Sequence, residues 1–146
     1  MYGGNEILAT DFTNGRINER DDQVAMKHGE ITSQIIGAAF KVHAYFGFGF
    51  TEKVYENALA IELRKIGLKV EQQKPLTVRY HDAVVGEYVC DLLVEDKVLV
   101  EVKSVSRLAE AHHAQIVCYL RATRVEVGLL LNFGHSVEHK RKILDR

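Results

Sequence analysis

Cysteine, proline and tryptophan are scarce in this chain: 2, 1 and 0 among 146 residues. Two cysteines cannot build a disulfide framework, so Cys90 and Cys118 read as small buried apolar residues of a reducing compartment. The single proline, Pro75, leaves nearly all of the chain open to regular helix and strand. Long apolar runs are also missing. Stretches such as Val127-Gly128-Leu129-Leu130-Leu131 fall far short of the roughly 20 residues a membrane-spanning helix needs. The N-terminus has no basic segment followed by an apolar one, so no signal peptide is expected and a cytoplasmic location is. Charge of one sign is absent too. With 19 basic and 20 acidic side chains the net charge is −1, so any contact with nucleic acid has to come from a local patch. What is present is ordinary globular material, 47% hydrophobic and 27% charged. That is enough for a core, it excludes disorder as the main state, and the length suits one domain.

Residues 1–28 are polar and without periodicity, and read as a loose N-terminal extension ahead of a single domain over 29–146. From Glu30, Ile31, Ile35, Ala38, Ala39, Val42 and Phe46 recur at helical spacing, which predicts an amphipathic helix over 30–46. Gly47-Phe48-Gly49-Phe50 breaks it. Thr51 is placed to cap a second helix whose apolar stripe is Tyr55, Ala58, Leu59, Leu63 and Ile66, with Gly67 as its C-terminal cap and Leu68 packing behind it. From Lys69 the period changes to two. Strands are expected over 69–80 (one interrupted at Pro75, or two), over 84–94 and over 98–103. Ser106 can cap a third helix over about 107–121, and 125–131 reads as a strand buried on both faces. His139-Lys140-Arg141-Lys142 fits a last helix or strand. The order predicts an α/β sandwich with a mixed sheet: antiparallel where turns are short, and parallel where the helix crosses over to the last strand.

Asp91 sits in a strand of Tyr, Val, Cys and Leu, and Glu101 and Lys103 sit among valines in the next. Glu101 and Lys103 share a face, with Val98, Val100 and Val102 on the other. A carboxylate and an ammonium on so apolar a strand must be paired, hydrated or metal-bound. Taken alone, Glu-x-Lys favours a plain salt bridge. On the third helix Gln115 and Tyr119 are four apart and share a face. Glu52 and Glu56 are likewise four apart on the second helix, where a solvated face is the simpler reading. His112 and His113 point about 100° apart on a helix, which argues against one ion shared between them. There is no phosphate-binding G-x-x-x-x-G-K-[ST] loop, no zinc spacing and no nucleophile elbow.

Gly49-Phe50-Thr51-Glu52-Lys53-Val54-Tyr55 matches a GxxExxY signature. Asp91, Glu101-Val102-Lys103 and Gln115-x-x-x-Tyr119 match the D…ExK…QxxxY pattern of RecB-type nucleases. Over roughly residues 30–133 the chain therefore resembles the GxxExxY family of the PD-(D/E)xK nuclease superfamily, with Cys90 where the superfamily name has Pro. The resemblance implies a three-layer α/β/α, restriction-endonuclease-like core in the order helix-strand-strand-strand-helix-strand. It implies phosphodiester hydrolysis of nucleic acid, DNA before RNA, with no membrane partner; a protein partner or a second copy of the chain stays open. Catalysis would fall to Asp91, Glu101, Lys103, Gln115 and Tyr119. Glu52, Asp91, Glu101 and the Val102 carbonyl would hold the metal, and His112, Gln115 and Tyr119 would position substrate. Hard oxygen ligands favour Mg²⁺ or Mn²⁺ over Zn²⁺. The rival reading is a nuclease-fold module that binds nucleic acid or a partner protein without hydrolysis. The presence of all three of Asp91, Glu101 and Lys103 speaks for the enzyme, and the near-neutral charge for the rival.

One geometric requirement follows. Directly opposed residues of an antiparallel pair share a face. A two-residue hairpin at Glu95-Asp96 would set Asp91 opposite Val100 and turn Glu101 away. A shared metal site therefore requires a three-residue connection, Glu95-Asp96-Lys97, or a bulge.

Overall fold

A computed structural model describes residues 9–11 and 19–144 of the chain. Helix α1 runs Glu19–Phe46, so it starts ahead of the expected Glu30. Ala9–Asp11 forms a short strand, β1; the rest of the expected extension before Glu19 lies outside the described residues. Ile35, Ala38, Ala39 and Val42 form the buried stripe of α1. The helix ends where Gly47 takes φ +69°, a conformation open to glycine, with the Gly47 amide closing on the His43 carbonyl at 2.7 Å. Helix α2, Glu52–Lys65, buries Tyr55, Glu56, Leu59, Ala60 and Leu63. Thr51 is its N-cap residue by backbone shape but makes no side-chain cap bond. The C-terminal end is as expected. Gly67 (φ +87°) bonds back to Arg64 at 3.0 Å and Leu68 to Leu63 at 3.1 Å, the two bonds of a Schellman motif, and Leu68 packs on the core.

Strands β2 (Val70–Tyr80), β3 (Ala83–Val94) and β4 (Val98–Lys103) follow, then helix α3 (Glu110–Ala122) and strands β5 (Val127–Phe133) and β6 (Val137–Leu144). The basic tail is thus a strand. The sheet order is β1-β6-β5-β4-β3-β2. Only β4 and β5, joined through α3, run parallel; the other neighbours are antiparallel. Pro75 does not interrupt β2 because β2 is an edge strand with an open side. Helices α1 and α2 cover one face through a core that includes Val98, Val100, Val102, Leu129, Leu131 and Phe133. Helix α3 covers the other through Tyr119 and Leu120 against Leu76, Cys90, Leu93 and Leu99. The result is the expected three layers. Among the described residues no helix is long and apolar enough to cross a membrane.

The β3–β4 connection meets the geometric requirement. Val94 stands opposite Val98, Leu93 opposite Leu99 and Leu92 opposite Val100, so Glu95, Asp96 and Lys97 form the link. Continuing that register sets Asp91 opposite Glu101. There the regular ladder stops. On β3, Leu92 and Val94 join the α1/α2 core while both Cys90 and Leu93 join the α3 core, so alternation breaks at Asp91. On β2, Val70 and Leu76 fall in different cores in the same way, and the residue across from Asp91, Gln73, has φ +53°. Both strands turn over at one level, and the site is built there.

Helix α3 lies close on β5. A Cβ at Gly128 would stand 2.8 Å from Ile116 Cγ1 and 3.2 Å from Leu120 Cδ1, closer than packed carbons approach. Gly128→Ala is therefore expected to destabilise the fold by about 1–3 kcal/mol, the cost of overpacking a filled core, as a lowered urea midpoint with unchanged slope would register.

Candidate active site

The turnover at Asp91 takes two backbone amides out of the β3–β4 ladder, and carboxylates accept their bonds. The Asp91 N–H donates to Glu101 Oε1 at 3.0 Å. The Val102 N–H donates to Asp91 Oδ2 at 2.8 Å. Two strand ends are thus pinned by side chains from the opposite strand, and the two carboxylates are drawn together. Lys103, two residues along β4 and on the same face as Glu101, brings Nζ to 3.8 Å from Glu101 Oε2. That is a loose pair, in contact but not a short hydrogen bond.

Burial works against these charges. Glu101 is only 3% exposed, and its carboxyl is pushed up to about 7, first by burial and then by the neighbouring Asp91 charge. Asp91 is raised as well. Burial is again the largest cause, and Glu56 adds to it, while the Val102 amide and Lys103 oppose it. Next to them Cys90 is held as the neutral thiol, pushed up by burial and by Glu101. Its sulfur lies 3.5 Å from the carbonyls of Leu92 and Val100. Cys90 is the small buried residue the sequence suggested; Cys118 is not, because it lies on the exposed side of α3.

Helix α2 contributes a carboxylate, one turn later than expected. Glu52 is exposed, and no contact joins it to Asp91. Glu56 is the acidic residue turned inward, 3% exposed. Its oxygens accept from Gln73 Nε2 at 2.6 Å, Gln72 Nε2 at 2.7 Å and Lys53 Nζ at 3.2 Å. Gln73 Nε2 also reaches Asp91 Oδ1 at 3.4 Å, so one side-chain amide links the two acids. Glu56 thus takes the position expected of Glu52. The change follows from Tyr55, which enters the core with Leu59 and carries its neighbour Glu56 toward the sheet.

Helix α3 carries Gln115 and Tyr119 on the Glu101 side of the sheet. Gln115 Nε2 donates to the Tyr119 hydroxyl at 2.9 Å. The phenol is pushed up to about 12 by burial and then by Glu101, so it stays protonated and can donate. The helix begins at Glu110, later than expected, and Ser106 is not its cap. Ala109 is the N-cap residue, and the His112 side chain reaches back to it, Nδ1 accepting the Ala109 N–H at 2.9 Å. That bond commits the acceptor nitrogen of His112 to the backbone and leaves Nε2–H as the only group it could offer a substrate.

Two further parts were not foreseen. Tyr55 is a latch. Its hydroxyl donates to the Gly47 carbonyl and accepts the Phe50 N–H at 3.3 Å, and its ring stacks on Phe133 with centroids 4.5 Å apart and 9° between planes. It fixes the loop between α1 and α2. Asn132, buried on β5, pairs with both backbone groups of Val105. It accepts the amide at 2.9 Å and donates to the carbonyl at 2.9 Å, which orders the chain leaving β4 after Lys103. The sequence signals were a lone amide ending the apolar run of β5 and, for Glu56, an acid between core positions Tyr55 and Leu59.

The donor set suits a hard cation. Asp91 and Glu101 are paired, partly desolvated carboxylates whose repulsion a divalent ion would relieve. Among the described residues no three His, Cys, Asp or Glu side chains converge tightly enough to hold an ion by themselves, so the set needs a backbone carbonyl such as that of Val102, water or substrate to be complete.

The raised carboxyls make the cation-free fold sensitive to pH. Between the ordinary carboxylate range near 4.5 and about 7, the folded protein binds more protons than the unfolded chain. Its stability must therefore fall as pH rises through that window and level off above it. Glu101→Gln is expected to remove most of this slope. Urea titrations of both proteins in chelator at several pH values would register the difference; parallel curves would show that Glu101 ionises normally.

A profile of the PD-(D/E)XK nuclease superfamily matches residues 29–143. No curated protein and no solved structure matches the chain. With the profile covering helix, hairpin, crossover and the Asp91–Glu101–Lys103 cluster, the chain belongs to the PD-(D/E)XK nuclease superfamily.

Proposed function

We propose that the protein is a divalent-cation-dependent nuclease of the GxxExxY branch of its superfamily, hydrolysing phosphodiester bonds of DNA or RNA. The observation that carries this reading is the carboxylate pair of half-buried Asp91 on β3 and buried Glu101 on β4, held together by two backbone amides beside Lys103. Backbone amides could be satisfied by neutral acceptors; two mutually repelling charges serve a cation.

Asp91, Glu101 and the Val102 carbonyl would hold Mg²⁺ or Mn²⁺, with Glu56 approaching through Gln73. When bound, such an ion activates a water for attack and offsets charge on the phosphate. Lys103 would stabilise the phosphate oxygens as negative charge builds, or orient the attacking water. The protonated Tyr119 hydroxyl, itself held by Gln115, would donate a hydrogen bond to a phosphate oxygen. His112 could reach the substrate only through Nε2–H. The free thiols of Cys90 and Cys118 accord with action in the cytoplasm. The rival, a binding module without hydrolysis, keeps the near-neutral net charge of −1 in its favour.

Two substitutions separate the roles. Asp91→Asn removes one of two repelling charges. It is expected to raise the cation-free stability by about 1 kcal/mol while abolishing Mn²⁺ binding and cleavage. Lys103→Met removes the cation beside Glu101. It is expected to lower cation-free stability by a similar amount, keep or raise Mn²⁺ affinity, and reduce cleavage by about 100-fold or more. Melts with and without Mn²⁺, beside digestion of linear, circular, single- and double-stranded substrates, would decide. If Mn²⁺ shifted no melt and no substrate was cut, the rival reading would stand.

A further inference from the structure

Phe48 and Phe50 are 43% and 47% exposed, yet they sit on a firmly held loop. Gly47 and Gly49 take φ +69° and +119°, backbone shapes that a side chain resists. The Tyr55 hydroxyl grips both the Gly47 carbonyl and the Phe50 amide. The Phe50 carbonyl accepts from Ser104 Oγ at 2.7 Å. His43 Nε2 meets the Gly134 carbonyl at 2.8 Å, tying the end of α1 to the β5–β6 turn. From that turn His135 lies against Phe48, ring centroids 4.3 Å apart, while Phe50 meets Phe46 edge-on at 5.1 Å. Rings fixed in this way keep nearly half of their surface open to water, and that part contributes nothing to folding. Ser104 follows Lys103 in the chain, one Cα step of about 3.8 Å, so the loop is fastened to the strand end that carries the cluster.

We propose that Phe48, His135 and Phe50 form a stacking platform for the unpaired bases of single-stranded nucleic acid entering the Asp91–Glu101–Lys103 site. The proposal rests on the nuclease reading and names its substrate class. The loop offers flat rings, and a base offers a flat π-face; in a duplex those faces are covered by neighbouring pairs, in a single strand they are open. Stacking asks for no base-specific hydrogen bond, and two rings separated by one glycine offer two such faces. Because the loop is already fastened at Gly47, Phe50 and Ser104, little conformational freedom is lost on binding. Lys103 beside it supplies a charge for the backbone.

The test uses the full chain in chelator, where hydrolysis and cation binding play no part, so it can fail while the nuclease reading holds, and the reverse. Fluorescence anisotropy would compare a labelled oligothymidine, an abasic strand of equal length, and a duplex. Oligothymidine is expected to bind at least about tenfold tighter than the abasic strand. Phe48→Leu and Phe50→Leu, which keep apolar bulk but lose the ring, are each expected to weaken oligothymidine about tenfold and leave the abasic strand unchanged, with Phe48→Tyr restoring affinity. Melting curves of each variant would identify loss through unfolding, in which case Phe48→Tyr against the parent carries the comparison. Equal binding of abasic and base-bearing strands, unchanged affinity in the leucine variants, or a preference for duplex would overturn the platform.

Discussion

Where β3 and β4 part, the Asp91 and Val102 amides lose their strand partners, and the carboxylates of Glu101 and Asp91 accept from them instead. A buried amide left without an acceptor costs about 1–3 kcal/mol, and a bond to a charged acceptor returns a similar amount. Divergence of the strands and ionisation of the cluster are therefore coupled. Fully paired strands would leave no room for two carboxylates between them, and parted strands need acceptors. This also qualifies the inference from residue identity. The presence of Asp91 and Glu101 speaks for an enzyme only in part, because the two amide bonds give both carboxylates a structural reason to be there. What the amides do not require is two negative charges, and that surplus supports a cation-binding role.

The surroundings hold this strained point from three directions. Tyr55, stacked on Phe133, anchors α2 under the sheet and sets the α1–α2 loop. Asn132 pairs with Val105 as another strand would, prolonging the β4–β5 contact beyond Lys103. Gln115 orients the Tyr119 hydroxyl from the opposite layer. Each is a buried or half-buried polar contact with its partner present, which makes the groups around the carboxylates rigid before any ligand arrives.

Periodicity made much of this legible. Helix α2 and its Gly67–Leu68 end, the three central strands, and the parallel return through α3 follow from apolar spacing and punctuation, because each is decided locally. The register of the hairpin was legible as a requirement: a three-residue link or a bulge was needed to bring Asp91 and Glu101 to one face. What stayed hidden depended on distant partners. Glu52 and Glu56 look alike in sequence, and only the depth to which Tyr55 penetrates decides which is carried inward. Gln73 gives no local hint of positive φ; it takes that shape because both strands must turn over together at Asp91. Ser106 is a good cap by residue type, yet α3 starts later because His112 can reach back to Ala109. The basic tail was ambiguous on charge alone, and pairing along β5 settles it as a strand.

The two sides of the carboxylate pair differ in a way that orders any substrate. Toward α2, Asp91 Oδ1 faces Gln73 and, through it, Glu56, so two carboxylates stand there against the largely exposed ammonium of Lys53, 3.2 Å from Glu56. Toward α3, Glu101 Oε2 faces Lys103, and the nearby phenol of Tyr119 is kept neutral by its burial. A phosphodiester carries its own negative charge and would be repelled from the first side and met by a cation and an O–H donor on the second. A divalent ion would be drawn the opposite way, toward the acids. The chain's near-zero net charge is thus no measure of its local field: opposite charges are segregated across one strand end, where ion and phosphate would meet with the carboxylates between Glu56 and Lys103.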